Sequence, residues 1–249
     1  MQRFFLGSER IQAGKVCFNV EISRQIRRVL RLNPGDEVIV LDGQGNSHTV
    51  NLIDVNLEEI TGIVLESRNS EGEPVCQVRL YMALTQREKF EWILQKCTEL
   101  GVTGFTPLIT ERTIVRKTSS AKQKTERWEK ILREAAEQSR RGLIPRLAEP
   151  LRFAEVVIQA CNQNDVTLLF WEGEQEQSIR KVLSGLDFAH GVVSVGLLIG
   201  PEGGFSEDEV QEATQAGCFP VTLGKRILRM ETAAVAAAAL VLYEAGELG

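Results

Sequence analysis

The sequence predicts an α/β protein with a smaller, strand-rich unit at its N-terminus. From Val75 onward, apolar runs of strand length alternate with amphipathic helical patterns, which is typical of α/β domains. Residues 1 to about 70 instead carry closely spaced strand-like runs separated by tight turns, a pattern that indicates a small barrel. A polar stretch rich in turn formers, 69–74, separates the two patterns. We therefore expect two domains, 1–72 and 73–249.

The first unit is predicted to contain four main strands and one short helix. The strand-like runs are 16–20, 37–41, 47–55 and 59–66. Between the first two, residues 23–32 place Ile26, Val29 and Leu30 on an apolar side. The other side of this predicted helix exposes four arginines, namely Arg24, Arg27, Arg28 and Arg31.

The second unit reads as strands followed by helices. The strand candidates are 78–84, 104–108, 166–170, 192–199 and 219–223. Thr85 with Glu88, and Ser206 with Glu209, have the spacing of capping boxes that open helices. The remaining helices are expected at 122–140, with Trp128, Ile131, Leu132 and Ala135 buried and most basic residues exposed, and at 231–245.

Composition narrows the functional class. The 249 residues are 43% hydrophobic, which is enough for real cores, and no apolar run has the length of a membrane span or a secretory signal. A cytoplasmic protein is the resulting expectation. The five cysteines are scattered without a CxxC pair and there are only two histidines, so we expect reduced thiols and no metal.

Charge is segregated along the chain although the net charge is −5. Residues 110–146 hold 11 basic and 5 acidic residues, whereas residues 147–249 hold 6 and 15. Such a basic segment attracts phosphates despite the acidic total, while a solvated helix face is the simpler interpretation of a charge run alone.

Two loops near the C-terminus carry the strongest functional signal. Residues 200–204, Gly-Pro-Glu-Gly-Gly, follow an apolar strand, and Gly203 or Gly204 is suited to a positive φ. Residues 223–233 place Lys225, Arg226 and Arg229 before a helix that starts near Glu231 or Thr232. Cations beside a helix N-terminus suit an anionic ligand, whereas an ordinary turn and a Thr232 N-cap would need no ligand. Neither loop matches a dinucleotide or P-loop pattern.

The chain resembles the 16S ribosomal RNA uridine-N3 methyltransferase family of the SPOUT superfamily. The similarity rests on the two loops together with the segments 99–102, Glu-Leu-Gly-Val, and 135–139, Ala-Ala-Glu-Gln-Ser, and extends over essentially the whole chain. The resemblance implies a PUA-like N-terminal barrel and a C-terminal α/β domain with a deep trefoil knot. It also implies a homodimer that uses S-adenosylmethionine to methylate 16S ribosomal RNA in the small subunit.

The resemblance assigns the cofactor to three loops. The expected cofactor-binding residues are Leu169, Phe170, Glu172, Ile199, Gly200, Pro201, Glu202, Gly203, Gly204, Leu223, Gly224, Arg226, Ile227, Leu228, Thr232 and Ala233. Relatives often carry glycine where this chain has Arg140, which leaves open whether Arg140 or Arg141 faces the site.

Methyl transfer to uracil needs no metal and depends on alignment and on removing or neutralising the proton at uracil N3, whose acceptor the sequence does not identify. We expect Arg229 to stabilise negative charge on the uracil carbonyl oxygens and Glu231 to orient Arg229 or the base. The residues expected to bind RNA are Arg24, Arg27, Arg28, Arg31, Lys122, Lys124 and Arg141. Two alternatives stay open, a knotted methyltransferase with another RNA target and a non-catalytic RNA-binding protein.

Overall fold

The computed structural model describes residues 1–55, 58–113 and 121–249. The chain divides into two compact units, Met1–Glu73 with Arg133–Ile144 and Pro74–Leu132 with Pro145–Gly249. The expected ranges 1–72 and 73–249 are continuous, whereas the twelve residues from 133 to 144 return to the first unit. No helix in the described ranges is long and apolar enough to cross a bilayer.

The first unit is built on a curled six-stranded sheet with the order β1-β4-β5-β6-β3-β2. Its strands are β1 Arg3–Phe5, β2 Ile11–Gln12, β3 Lys15–Cys17, β4 Glu37–Leu41, β5 Asn46–Asp54 and β6 Thr61–Asn69. The four predicted strands are confirmed, although the first ends at Cys17 rather than Val20, and the short β1 and β2 had not been expected. Within the described residues the ladder does not close, so the expected barrel is a curled sheet.

A short helical segment follows β3. Helix α1, Val20–Arg24, starts where the Asn19 side chain accepts the Ile22 N–H at 2.8 Å, and a π-helical turn continues it over Gln25–Leu30. Ile26 is buried and all four predicted arginines are exposed, as expected. Val29 is 73% exposed, so its placement on the buried side was wrong, because the wider π-helical turn rotates it away from Ile26.

The second unit is a parallel seven-stranded sheet, ordered β10-β8-β7-β12-β11-β13, with β9 paired to β8. The strands are β7 Gln77–Ala83, β8 Gly104–Ile109, β9 Arg146–Leu147, β10 Leu151–Arg152, β11 Val166–Phe170, β12 Ser194–Ile199 and β13 Phe219–Val221. All five predicted strands are confirmed. Because every strand runs the same way, the carboxyl ends meet at one edge, where ligands of such sheets bind.

Helices connect these strands. They are α2 Arg87–Leu100, α3 Ala121–Gln138, α4 Phe153–Gln163, α5 Ile179–Leu183, α6 Glu207–Gln215 and α7 Met230–Glu244. The Ser206–Glu209 capping box is confirmed, with both of its hydrogen bonds present. The Thr85–Glu88 box was wrong, because the Thr85 hydroxyl instead donates to Glu202 at 2.5 Å.

Candidate functional site

A cavity of about 460 Å³ lies at the carboxyl ends of β11 and β13. Its volume is in the range of pockets that hold small molecules and cofactors. The expected cofactor residues that line it are Phe170, Glu172, Leu223, Gly224, Arg226, Ile227, Leu228 and Ala233. The others, which are not in its lining, are Leu169, Ile199, Gly200, Pro201, Glu202, Gly203, Gly204 and Thr232. The cavity is therefore lined by the carboxyl ends of β11 and β13 and by most of the loop 222–229, which is named here the arginine loop.

Local hydrogen bonds shape the start of the arginine loop. The Thr222 N–H donates to the Gln177 carbonyl at 2.9 Å, and the Thr222 hydroxyl oxygen accepts the Gly224 N–H at 3.1 Å. Gly224 has φ of +100°, a conformation that L side chains rarely adopt, and a Cβ there would meet no atom within 4 Å. The glycine is thus required for the turn, and the space beside it is open.

The arginine loop presents an apolar side chain and three cations. Ile227 is 85% exposed although it lines the cavity, so a bound ligand that covers it would gain apolar contact. Lys225, Arg226 and Arg229 are exposed, and within the described ranges none of them forms an ion pair. Their positive charge is available to an anionic group.

Arg229 and Glu231 lie where the arginine loop becomes α7. Arg229 is the N-cap residue, with φ −64° and ψ 151°, and its carbonyl accepts the Ala233 N–H at 2.8 Å. Thr232 is therefore inside the helix, and its assignment as a possible N-cap was wrong. Glu231 Oε2 is buried and has no hydrogen-bond partner among the described residues, and Glu231 makes no ion pair with Arg229 there. A buried carboxylate oxygen without a donor is costly, which points to a partner supplied from outside the chain.

The other predicted loop, residues 200–204, is called the glycine loop. Glu202 accepts hydrogen bonds from the Thr85 hydroxyl at 2.5 Å and from Lys89 Nζ at 3.0 Å. Burial raises the pKa of Glu202, but these hydrogen bonds outweigh it and leave the pKa below its ordinary value. The Glu202 side chain therefore holds the glycine loop against α2 and the segment that connects β7 to α2.

Two further side chains flank the glycine loop. Arg112 Nη1 donates to the Gly203 carbonyl at 2.7 Å. Gly204 has φ of +68°, and a Cβ there would lie 2.9 Å from the carboxylate oxygens of Glu172, a cavity residue. Gly204 thus takes the positive φ that was left open between Gly203 and Gly204, and its missing side chain lets Glu172 approach. Arg112 had not been selected from the sequence, because its contact spans 91 residues.

The predicted RNA-binding residues differ in accessibility. Arg24, Arg27, Arg28 and Arg31 are exposed in the first unit, Lys124 is half-buried, and the Lys122 side chain lies outside the described residues. Arg141 is 2% exposed, and its guanidinium pairs with Glu73 at 2.8 Å. This pair leaves little of Arg141 exposed, and its expected RNA contact stays a prediction. Of the two neighbouring arginines, Arg140 is exposed and Arg141 is buried.

Neither cysteine nor histidine is among the residues that line the cavity. All five cysteines are free thiols. Within the described ranges, no group of three or more potential metal-ligating side chains is assembled. The side chains present at the cavity are apolar groups, two neutral polar groups, two cations and two carboxylates, a combination that suits a zwitterionic organic ligand.

Comparisons with known proteins cover both units. Residues 71–242 match the family model of the RNA methyltransferase domain, and residues 21–65 match that of the RNA methyltransferase PUA domain. The chain is 37% identical to ribosomal RNA small subunit methyltransferase E of Synechocystis sp. over 95% of this chain and 76% of that protein. It is 32% identical to the Bacillus subtilis protein of the same name over 98% and 97%. The crystal structure of the Neisseria gonorrhoeae protein of that name, bound to S-adenosylmethionine, superposes with a TM-score of 0.84 at 31% identity, covering 98% of each chain.

Proposed function

The chain belongs to the family of small-subunit ribosomal RNA methyltransferases E, and on this premise we propose that it transfers a methyl group from S-adenosylmethionine to N3 of a uridine in 16S ribosomal RNA. The observation that carries the proposal is the cavity between the β11 end and the arginine loop. The bound cofactor in the Neisseria gonorrhoeae relative supports the choice of methyl donor. The uridine and its N3 position come from the resemblance of the two loop sequences.

The cavity lining fits such a donor. Open space beside Gly224 lets a planar ring approach the backbone, while Ile227 and Leu228 offer apolar surface. Glu172 at the cavity wall is suited to the ammonium group of the methionine moiety. In the glycine loop, Gly204 has no side chain and so leaves room for the Glu172 carboxylate at its present position. When bound, the cofactor supplies a methyl group on a positively charged sulfur.

Arg229 and Glu231 are proposed to act on the uracil. Arg229 is exposed and without an ion pair among the described residues, so its guanidinium is free to stabilise negative charge on the uracil carbonyl oxygens. Because the Oε2 of Glu231 is buried and has no partner among the described residues, Glu231 is proposed to act through Arg229, whose guanidinium it would orient once substrate is bound. Alignment of the ring nitrogen with the methyl group is the main contribution expected of these residues.

RNA capture is proposed for the arginines of α1 and the π-helical turn, together with α3. Arg24, Arg27, Arg28 and Arg31 form one exposed set, and Lys124 begins the basic side of α3. Their replacement by glutamine should weaken RNA binding and flatten its salt dependence by about 0.7 in slope per lost phosphate contact.

We also propose that the protein is a cytoplasmic homodimer whose second unit carries a deep trefoil knot. The knot and the dimer follow from the family resemblance. Leu240 and Tyr243 support the dimer, since they are 44% and 59% exposed on the apolar helix α7. Sedimentation analysis of Leu240→Glu tests this assignment, with a shift from dimer to monomer expected and an unchanged dimer contradicting it.

Methyl transfer from labelled S-adenosylmethionine to small ribosomal subunits lacking the modification tests the function, with mass-spectrometric identification of the nucleoside. N3-methyluridine in 16S ribosomal RNA is the expected product. A different methylated nucleoside would retain the methyltransferase and reject the target. Absence of transfer together with absence of cofactor binding would favour a non-catalytic RNA-binding protein.

A further inference from the structure

The outer face of the six-stranded sheet carries a second, unexpected arginine cluster. Phe5, Leu41, Ser47 and Arg68 stand in one row across β1, β4, β5 and β6. Alternate residues of a strand face the same side, so Arg3 shares the side of Phe5. Phe5 and Leu41 pack with Ala136 in a small core on this face. Arg3 and Arg68 therefore border that core on the sheet side.

The segment 139–144 contributes the third arginine. Its turn is fixed because Glu73 pairs with Arg141 and also accepts the Gly142 N–H at 2.9 Å. The Arg140 carbonyl lies against Gly72, and Gly142 lies against Ser70, two residues after Arg68. This places Arg140 beside the end of β6. Arg140 has φ of +65°, an unfavourable conformation for a residue with a side chain.

The positive charges of Arg140 and Arg68 act on the guanidinium group of Arg3. Partial burial, followed by the charges of Arg140 and Arg68, lowers the pKa of Arg3. In the described part of the chain, none of the three forms an ion pair. The nearby Glu137 carboxylate accepts the Phe5 N–H at 2.9 Å, and Glu73 is committed to Arg141 and its turn. Among the residues that the structure describes, no carboxylate therefore pairs with these like charges.

We propose that Arg3, Arg68 and Arg140, named here the arginine face, bind backbone phosphates of the RNA substrate. The inference rests on the proposed function and extends it to a surface distinct from the arginines of α1 and the π-helical turn. Planar guanidinium groups suit phosphate oxygens, and each phosphate bound removes part of the mutual repulsion. A positive φ at Arg140, an exposed residue without an ion pair among the described residues, is consistent with selection for an external ligand.

The variant Arg140→Gly separates RNA binding from structure. Glycine tolerates the positive φ, so the melting temperature should stay equal or rise, whereas affinity for small ribosomal subunits should fall by roughly 3- to 10-fold at physiological salt. A purely structural Arg140 would instead show unchanged affinity. Lys15→Gln is the matched control, because it removes one exposed charge from β3 in the same sheet and should leave the affinity within about twofold.

The triple variant Arg3→Gln, Arg68→Gln, Arg140→Gly gives the larger effect. The slope of log affinity against log salt should become shallower by about 2, with S-adenosylmethionine affinity unchanged within about twofold. If the wild type binds the subunit and the triple variant shows the same affinity and salt dependence, this inference is overturned while the proposed function stands. Failure of the wild type itself to bind or methylate the subunit would overturn both the inference and the proposed function.

Discussion

The glycine loop and the arginine loop adjoin the same sheet edge but are held in opposite ways. Glu202 and Gly203 in the glycine loop are fixed by three side chains from distant parts of the sequence, Thr85, Lys89 and Arg112. The arginine loop is shaped by a local Thr222–Gly224 turn, and its cations have no ion-pair partner among the described residues. The polar groups of the glycine loop are therefore held by contacts within the protein. The arginine loop instead exposes positive charge and apolar surface that a ligand can contact.

Substitution of Arg229 should produce the largest effect on turnover. It tests whether an exposed cation of the arginine loop takes part in the reaction. Arg229→Ala should lower kcat by about 100-fold or more, because a charge-stabilising donor is lost, with S-adenosylmethionine affinity little changed. Single-turnover rates at saturating RNA measure this. Arg180→Ala, which removes an exposed arginine paired with Glu244, is the control. Unchanged turnover in Arg229→Ala would remove this residue from the chemistry.

Gly204 tests whether the glycine loop is rigid. Gly204→Ala should destabilise the protein by about 1–2 kcal/mol, since the positive φ is strained and the new Cβ meets Glu172. Gly246→Ala isolates the backbone contribution, because Gly246 has a similar positive φ, +77°, and nothing lies within 4 Å of its Cβ position. Denaturant unfolding should show a greater loss for Gly204→Ala. Equal losses would mean that Glu172 simply moves aside.

Ile227 tests whether the arginine loop is prepared for a ligand. Ile227→Ala should weaken S-adenosylmethionine binding by roughly 5-fold through lost apolar contact, without loss of unfolding free energy, because the side chain is already exposed. Calorimetric titration gives the affinity. Val29→Ala, also at an exposed position, should change neither quantity. A destabilised Ile227→Ala with normal affinity would mean that Ile227 packs within the fold instead.

Glu202 should give the smallest effect, with a defined pH dependence. Its folded pKa is lowered, so the charged form stabilises the fold above the unfolded pKa and this contribution disappears as pH falls through the folded value. Glu202→Gln should therefore cost less than about 1 kcal/mol at pH 7, after allowance for solvent screening, and nothing well below pH 4. Urea unfolding across this pH range measures it. A loss that persists in acid would point to packing instead.

Local patterns account for the features that the sequence predicted correctly. The Ser206–Glu209 capping box, the strand ends before the two loops and the cations at 225–229 depend on residues close in sequence. Val29 and the Thr232 cap were misplaced for local reasons, a π-helical turn and an earlier helix start, whereas two other contacts involve distant partners. Thr85 bonds Glu202, 117 residues away, and Arg141 pairs with Glu73, 68 residues away. No local pattern specifies such contacts, so the sequence alone could not predict these partners of Thr85 and Arg141.

The crystal structure of the complex with S-adenosylmethionine tests the central claim most directly. We predict the cofactor in the cavity between the β11 end and the arginine loop, in contact with Leu223 and Ile227. The glycine loop should keep its Glu202 and Arg112 hydrogen bonds while the arginine loop adjusts around the ligand. Cofactor bound elsewhere, or a glycine loop that breaks these bonds to bind it, would contradict the account.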